Sequence, residues 1–406
     1  MDKLMLLQHY WWFLISLLAA LLVALMFVQG GQTLLLRVGK TDLEQKMILN
    51  SLGRKWELTF TTLVVFGGAF FASFALYYST SFGGAYWLWM IILFSFIIQA
   101  VAYEFMNKPG NFLGKHTYQM FLYINGIVGV FCIGVAVATL FTGAPFYVQK
   151  GNITDTFMPV ISTWATPYHG LEAFTHLPNL LLGAALVFLS RIGGAMYLIF
   201  NINDANINMR CHKSIIINTV PFLVFFLSFV IWIFLSNGYS VNPETGLVYL
   251  EKYKYLINMV HLPYLGILFL IGVVLVLLSI GLSILKKGYH NAFWYEASGV
   301  LLVVLSLFMS LGFNNTAYYP STADLQSSLT IYNSSSSLFT LEVMSYVSIL
   351  LPIVVIYAFF AWRAMDRKKI SPEDFNNTPH GVYGVFASNT PTPPAEGAKD
   401  ESVGNK

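Results

Sequence analysis

Leu58-TFTTLVVFGGAFFASFALYYSTSFGGAYWLWMIILFSFIIQAVA-Tyr103 runs from residue 58 to 103 without one Asp, Glu, Lys or Arg. An α-helix crosses the hydrocarbon core of a bilayer with about 20 apolar residues. The stretch is too long for one crossing and fits two. Ser79-Thr80-Ser81-Phe82-Gly83-Gly84 supplies the break, because small polar residues and glycine favour turns. Two antiparallel membrane helices joined by a tight turn are therefore predicted here.

The same criterion extends outward in both directions. It predicts spans over Tyr10–Leu36, Tyr118–Phe141, Leu171–Phe200 (interrupted by Arg191), Ile215–Leu235, Leu262–Leu285, Ala292–Phe313 and Leu341–Trp362. With the first pair, the count is nine. Composition agrees. Apolar residues make up 56% of the 406 and charged residues 10%, against about 25% charged in soluble domains. The run Trp11 to Leu36 is too long for a signal-peptide core and lacks a small-residue cleavage site. A net charge of +3 spread over such a chain gives no reason to expect nucleic acid as a partner.

Lys and Arg fix the expected sidedness, since cytoplasmic loops carry their excess. Arg37, Lys40, Lys46, Arg54 and Lys55 follow helix one, and Lys108 and Lys115 follow helix three. Arg210 and Lys213 follow helix five, Lys286 and Lys287 helix seven, and Arg363, Arg367, Lys368 and Lys369 helix nine. The opposite loops hold only Lys3, Lys150, Lys252 and Lys254. The reading is an all-α polytopic membrane protein of nine transmembrane helices, with the N-terminus outside and the C-terminus cytoplasmic. Residues 1–370 form the membrane domain. Residues 371–406, with Pro391, Pro393 and Pro394, read as a largely disordered cytoplasmic tail. Three long segments, 142–170, 236–261 and 314–340, fall outside.

Ionisable groups near the membrane are the functional pointers. Glu57 opens helix two, and Glu104 and Lys108 close helix three at the same membrane face. Two readings stand side by side: the mouth of a proton path, or interfacial anchors with Glu104 and Lys108 as an i,i+4 pair worth about 0.2–0.5 kcal/mol. Gln29-Gly30-Gly31-Gln32 places two amides on one face of helix one, suited to hydrogen bonds across a helix interface or to a ligand. Arg191 suits an anionic group, a helix interface or snorkelling to the cytoplasmic surface.

Of the eight histidines, His9, His116, His169, His176, His212, His261, His290 and His380, most fall at helix ends or in loops. His169 and His176, seven apart, share one face near the outer end of helix five. Cys132 and Cys211 have no CxxC or CxxCH spacing and read as buried thiols. No metal-ligand spacing, P-loop or catalytic triad is expected.

The chain resembles subunit II of the cytochrome bd-type quinol oxidases. The motifs that carry the likeness are His9-Tyr10-Trp11-Trp12-Phe13-Leu14, Met47-Ile48-Leu49-Asn50-Ser51 ahead of Trp56-Glu57, Gly67-Gly68-Ala69-Phe70-Phe71-Ala72 and Ala102-Tyr103-Glu104-Phe105. Near the other end they are Tyr319-Pro320-Ser321, Ser328-Leu329-Thr330-Ile331, Leu341 to Met344, Pro352, Tyr357 and Trp362. The resemblance implies a nine-helix subunit of the bacterial cytoplasmic membrane that binds no cofactor alone. Its partner, subunit I of like fold, carries haem b and haem d and the quinol site. The complex oxidises quinol and reduces dioxygen to water, with membrane lipid around it and a small accessory subunit as a further partner. By residue match, Glu57, Glu104 and Lys108 fall on acid, acid and base positions of a cytoplasmic proton route. Trp56 stands beside the first acid, and Tyr383 is set against a C-terminal tyrosine near that route.

The departures mark a divergent branch. Where the family has Asp-Gly-Phe-Asp in helix one, this chain has Gln29, Gly30, Gly31 and Gln32. Amides release no proton near neutral pH, so a step through those acids is missing or rerouted. Thr59-Phe60-Thr61-Thr62 replaces an Asn-Gln/Glu-Val-Trp stretch, and Gln99 stands for an arginine. Two rival readings are a stand-alone transporter or channel, for which inverted repeats and broken helices are the usual signs, and an assembly subunit without a proton role.

Overall fold

The computed structural model describes residues 2–108, 110–286 and 289–376. Lys287, Tyr383 and all but the first six residues of the expected tail lie outside the described residues. Among those described, nine helices are long and apolar enough to cross a membrane. Helix one is Lys3–Val38, with a break in α-geometry at Met26. The second stretch, Asp42–Ser73, is a connector helix, Asp42–Gly53, followed by helix two proper, Trp56–Ser73. Helices three to nine are Tyr86–Phe105, Lys115–Thr142, Leu177–Asn201, Ala205–Leu235, Pro263–Leu285, Ala292–Gly312 and Leu338–Met365.

Local chemistry explains where the ends differ from expectation. Residues Tyr78–Gly84 make the turn between helices two and three as a π-helical segment. Leu171–Thr175 coils as a 3-10 turn, and helix five starts only at Leu177, with Pro178 in its first turn, where a missing N–H costs nothing. Helix six begins ten residues before the expected Ile215. Asp204 caps it by accepting from the N–H groups of Asn206 and Ile207, and its polar first turns escape a search for charge-free runs. Helix nine breaks between Ser348 and Leu351, just ahead of Pro352, which has no N–H to bond the carbonyl four residues back.

Helix one sits centrally against helices two, five and eight. Its approach to helix five needs glycine: a Cβ at Gly30 would lie 1.8 Å from the Ser190 carbonyl oxygen, and one at Gly194 would lie 2.3 Å from the Gly31 nitrogen. Near the lysine-poor end, Trp12 is buried among Phe70, Phe74 and Tyr318, with its indole N–H donating to the Phe308 carbonyl at 3.0 Å.

The three long loops close together into one cap. It holds two antiparallel ribbons, Phe146–Val148 with Ser162–Trp164 and Asn237–Val241 with Val248–Lys252. Bridges Ala144–Ser321 and Ser240–Thr316 stitch the loops to one another. The serine run at 334–337 is structural: Ser334 shares a hydrogen bond with the Tyr318 hydroxyl at 2.6 Å, Ser336 donates to the Ala72 carbonyl, and Ser337 caps helix nine.

Burial is uneven. Helices four and five are 72% buried over their apolar windows, but helix nine only 6%. Leu351–Met365 contains no buried residue. The outward faces of helices two and three are also bare, with Val64, Phe71, Phe94 and Ile97 exposed.

Candidate functional site

Helices two and three meet at the lysine-rich end through a stack of Trp56 on Tyr103, with ring centroids 5.7 Å apart and planes 12° from parallel. Each aromatic precedes one of the two acids, so the stack brings Glu57 and Glu104 to the same level. Both are exposed. Glu104 pairs with Lys108 one turn on, and the Lys108 ammonium lies 4.9 Å from the Phe105 ring centre. Among the described residues Glu57 makes no ion pair or hydrogen bond. The exposed pair contributes little to stability.

Tyr103 leads inward. Its hydroxyl accepts from the Gln32 side-chain N–H at 3.0 Å, and one turn along each helix Gln29 reaches Gln99 at 3.5 Å. Helices one and three are thus joined by two amide contacts. Asn125 lies buried nearby, at the start of the π-helical stretch Asn125–Gly129 in helix four, where a Cβ at Gly126 would meet the Gln29 carbonyl at 2.4 Å. Five polar atoms of this cluster, one each on Gln29, Gln32 and Gln99 and both on Asn125, are buried without a protein partner. Such groups are normally satisfied, by water if not by protein.

A second polar assembly was missed by sequence reasoning. Lys55, read only as a loop charge, is fully buried and pairs with Asp366 at 3.0 Å. Asp366 also accepts from the Tyr197 hydroxyl at 3.2 Å and the Asn201 side chain at 3.1 Å, while Ser51 donates to Asn201 at 2.7 Å. The Lys55 ammonium lies 5.2 Å from the Trp362 ring centre. The available signal was Asp366 itself, a lone acid inside the basic run Arg363 to Lys369. Glu296 also went unnoticed. It is buried in helix eight with its carboxyl against Gly193, and among the described residues it makes no ion pair or hydrogen bond.

Arg191 is half-buried in helix five, its Nε without an acceptor. Three histidines turn a ring nitrogen to a backbone carbonyl: His9 to Met5, His169 to Gly84 and His290 to Ile199. Among the described residues no group of three His, Cys, Asp or Glu side chains could hold a metal ion. Cys132 and Cys211 are buried free thiols.

Fold and site together define a multi-pass helical membrane protein with acid–base groups at one end of the bundle, buried amides behind them and a last helix left bare. The chain belongs to the cytochrome bd terminal oxidase subunit II family, whose model matches residues 7–365. It is 26% identical over 359 residues to cytochrome bd-I ubiquinol oxidase subunit 2 of Escherichia coli strain K12, covering 85% of this chain and 90% of that one. It is 24% identical over 350 residues to a probable cytochrome oxidase subunit 2 of Haemophilus influenzae, covering 83% and 87%. A chain in the structure of bd oxidase from Geobacillus thermodenitrificans shares the fold, with a TM-score of 0.56 and 14% identity over 91% of this chain and 100% of that one.

Proposed function

We propose that this chain is the haem-free subunit II of a quinol:oxygen oxidoreductase. It frames a haem-bearing subunit I and supplies the cytoplasmic mouth of a proton path. One observation carries the reading: Glu57 and Glu104 lie on the exposed sides of helices two and three, in line with the bare apolar residues Val64 and Ile97. Each acid is seven residues from its apolar partner, two helical turns along one face. A helix nine that is almost entirely bare and two half-bare helices make a large apolar flank, and such patches mark interaction surfaces. A partner seated on that flank would find the two acids at its rim. Protons gathered by Glu57, Glu104 and Lys108 would then cross at the subunit boundary. Inward of Tyr103 the path would run over water held by the amides, since Gln29 and Gln32 cannot relay a proton as acids do.

Sidedness follows from the basic loops: the lysine-rich end faces the cytoplasm. The uptake of protons from that side adds to the transmembrane gradient. The complex is purified through this chain, its haem content measured, and oxygen consumption and proton uptake followed in vesicles. Haem should accompany a co-purifying subunit. Glu57→Gln and Glu104→Gln should each slow turnover several-fold at unchanged haem content, within the range of removing a proton-transfer group, with Glu57→Asp milder. Wild-type proton uptake in both glutamine variants would reduce these residues to anchors. A haem-free chain taking up a substrate alone would favour the transporter reading.

A further inference from the structure

Helix one meets helix five at Gly30, where an added Cβ would stand 2.5 Å from the Arg191 nitrogen. On its other side it meets helix four, where Gly126 lies against Gln29 and Thr33. Arg37 is seven residues beyond Gly30, on the same face and about 10 Å nearer the lysine-rich end. Tyr123 is one turn from Gly126 in the same direction. The charges of Arg37 and Tyr123 act on the Arg191 guanidinium, which groups the three side chains in the groove where helices one, four and five meet. Arg37 and Tyr123 are exposed.

Two guanidinium groups share this cleft without a carboxylate. Among the described residues neither Arg191 nor Arg37 forms an ion pair, and the buried Nε of Arg191 has no acceptor. The acids of the neighbouring connector are engaged elsewhere: Glu44 with Arg210 at 2.8 Å and Asp42 with Lys115 at 2.7 Å. An arginine within a span costs about 2.5–3.5 kcal/mol at the helix centre, and a second cation beside it adds repulsion. Such an arrangement is stable when an anion lies between the two. Toward the lysine-rich end, within reach of long arginine side chains and beside the exposed apolar side chains Met120, Ile124 and Val128 of helix four, the abundant anion is a lipid phosphodiester.

We infer that the cleft of Arg191, Arg37 and Tyr123 binds the phosphate of an anionic lipid, with both guanidinium groups on the phosphate and the Tyr123 hydroxyl as a donor. The acyl chains lie along helix four. This site stands on the membrane-spanning fold and is independent of the proton route.

The test uses the intact complex in detergent loaded with phosphatidylglycerol and then exchanged into phosphatidylcholine micelles, with retained lipid counted by native mass spectrometry. Wild type should keep a phosphatidylglycerol that survives exchange. Arg191→Gln and Arg37→Gln should each hold it about fivefold more weakly, and Arg191→Lys should fall between. Inorganic phosphate at millimolar concentration should not displace it. Equal retention in wild type and both glutamine variants overturns the site, as does equal preference for phosphatidylcholine. Displacement by inorganic phosphate would mean that a free anion is the ligand. If Arg191→Gln fails to assemble while Arg37→Gln and Arg191→Lys retain lipid like wild type, the counter-charge belongs to the partner subunit and the lipid assignment is wrong.

Discussion

At the scale of single residues, charge and burial part company. Lys55 carries a charge into a fully enclosed place, whereas Glu57, two positions on, stands in the open. Removing one member of a buried ion pair strands the other, a loss of about 3–5 kcal/mol, while replacing both by apolar groups is often neutral. Lys55→Met should therefore destabilise the purified complex strongly in a thermal melt, and Lys55→Met with Asp366→Leu should recover much of the loss. Equal melting of single and double variants would mean that the pair does not act as a unit. Sequence reasoning could place Lys55 at the correct end of the molecule, because loop charge counts only sidedness. It could not show that the side chain turns inward, because the counter-ion lies 311 positions away. Gln29 and Gln32 were legible as a polar stripe on helix one. Their partners Gln99 and Tyr103 were not, since pairing across helices depends on rotation about each helix axis, which an all-round apolar pattern leaves open.

At the scale of elements, the outer cap rests on a knot around Glu172. Its carboxylate accepts from the Trp164 indole N–H at 2.6 Å, from the Thr166 hydroxyl, and from the Gly170 N–H at 2.9 Å. Burial pushes this carboxyl up, but these three donors and the Glu172 N–H together outweigh burial and hold it below the ordinary glutamate range. A carboxyl depressed by folding stabilises the loop above its unfolded pKa, and that contribution is lost as pH falls through the folded value. The loop 162–176 should therefore become protease-sensitive below about pH 4.3, the usual glutamate value. Glu172→Gln should be sensitive at neutral pH and show a flat pH response. Identical pH profiles for the two forms would show that other groups govern the loop. The nine spans were readable because each needs only a long apolar run, even where Arg191, Glu296 or Glu342 interrupts it. The cap was not, because its order comes from side-chain and bridging contacts between loops far apart in sequence, such as Ser240 with Thr316. The π-helical stretches at 78–84 and 125–129 also left no periodic signature.

At the scale of the whole molecule, alternation of basic and lysine-poor loops predicts both sidedness and parity of the count. A reporter fused after Lys369 should read cytoplasmic, and one inserted near Ser335 should read external; exchanged signals would invert the orientation. Expressed without a haem-bearing partner, the chain should be unstable or inactive, because its flank of helices two, three and nine would meet lipid alone. A monodisperse, haem-replete preparation of this chain alone would contradict that.

Helix nine is tied down toward both of its ends. At the end beneath the cap, Trp11 donates to the Leu341 carbonyl at 3.2 Å and Lys3 pairs with Glu342 at 2.8 Å. At the other end Asp366 takes Lys55, and Arg54 donates to the Met365 carbonyl at 3.1 Å. Every one of these ties joins a late stretch of the chain to an early one. During synthesis Lys55 must wait, without its anion, for helix nine and Asp366 to be made. A nascent or prematurely terminated product ending before Asp366 would keep that lysine uncompensated, and cellular proteases should clear it faster than the full-length chain in a pulse-chase measurement.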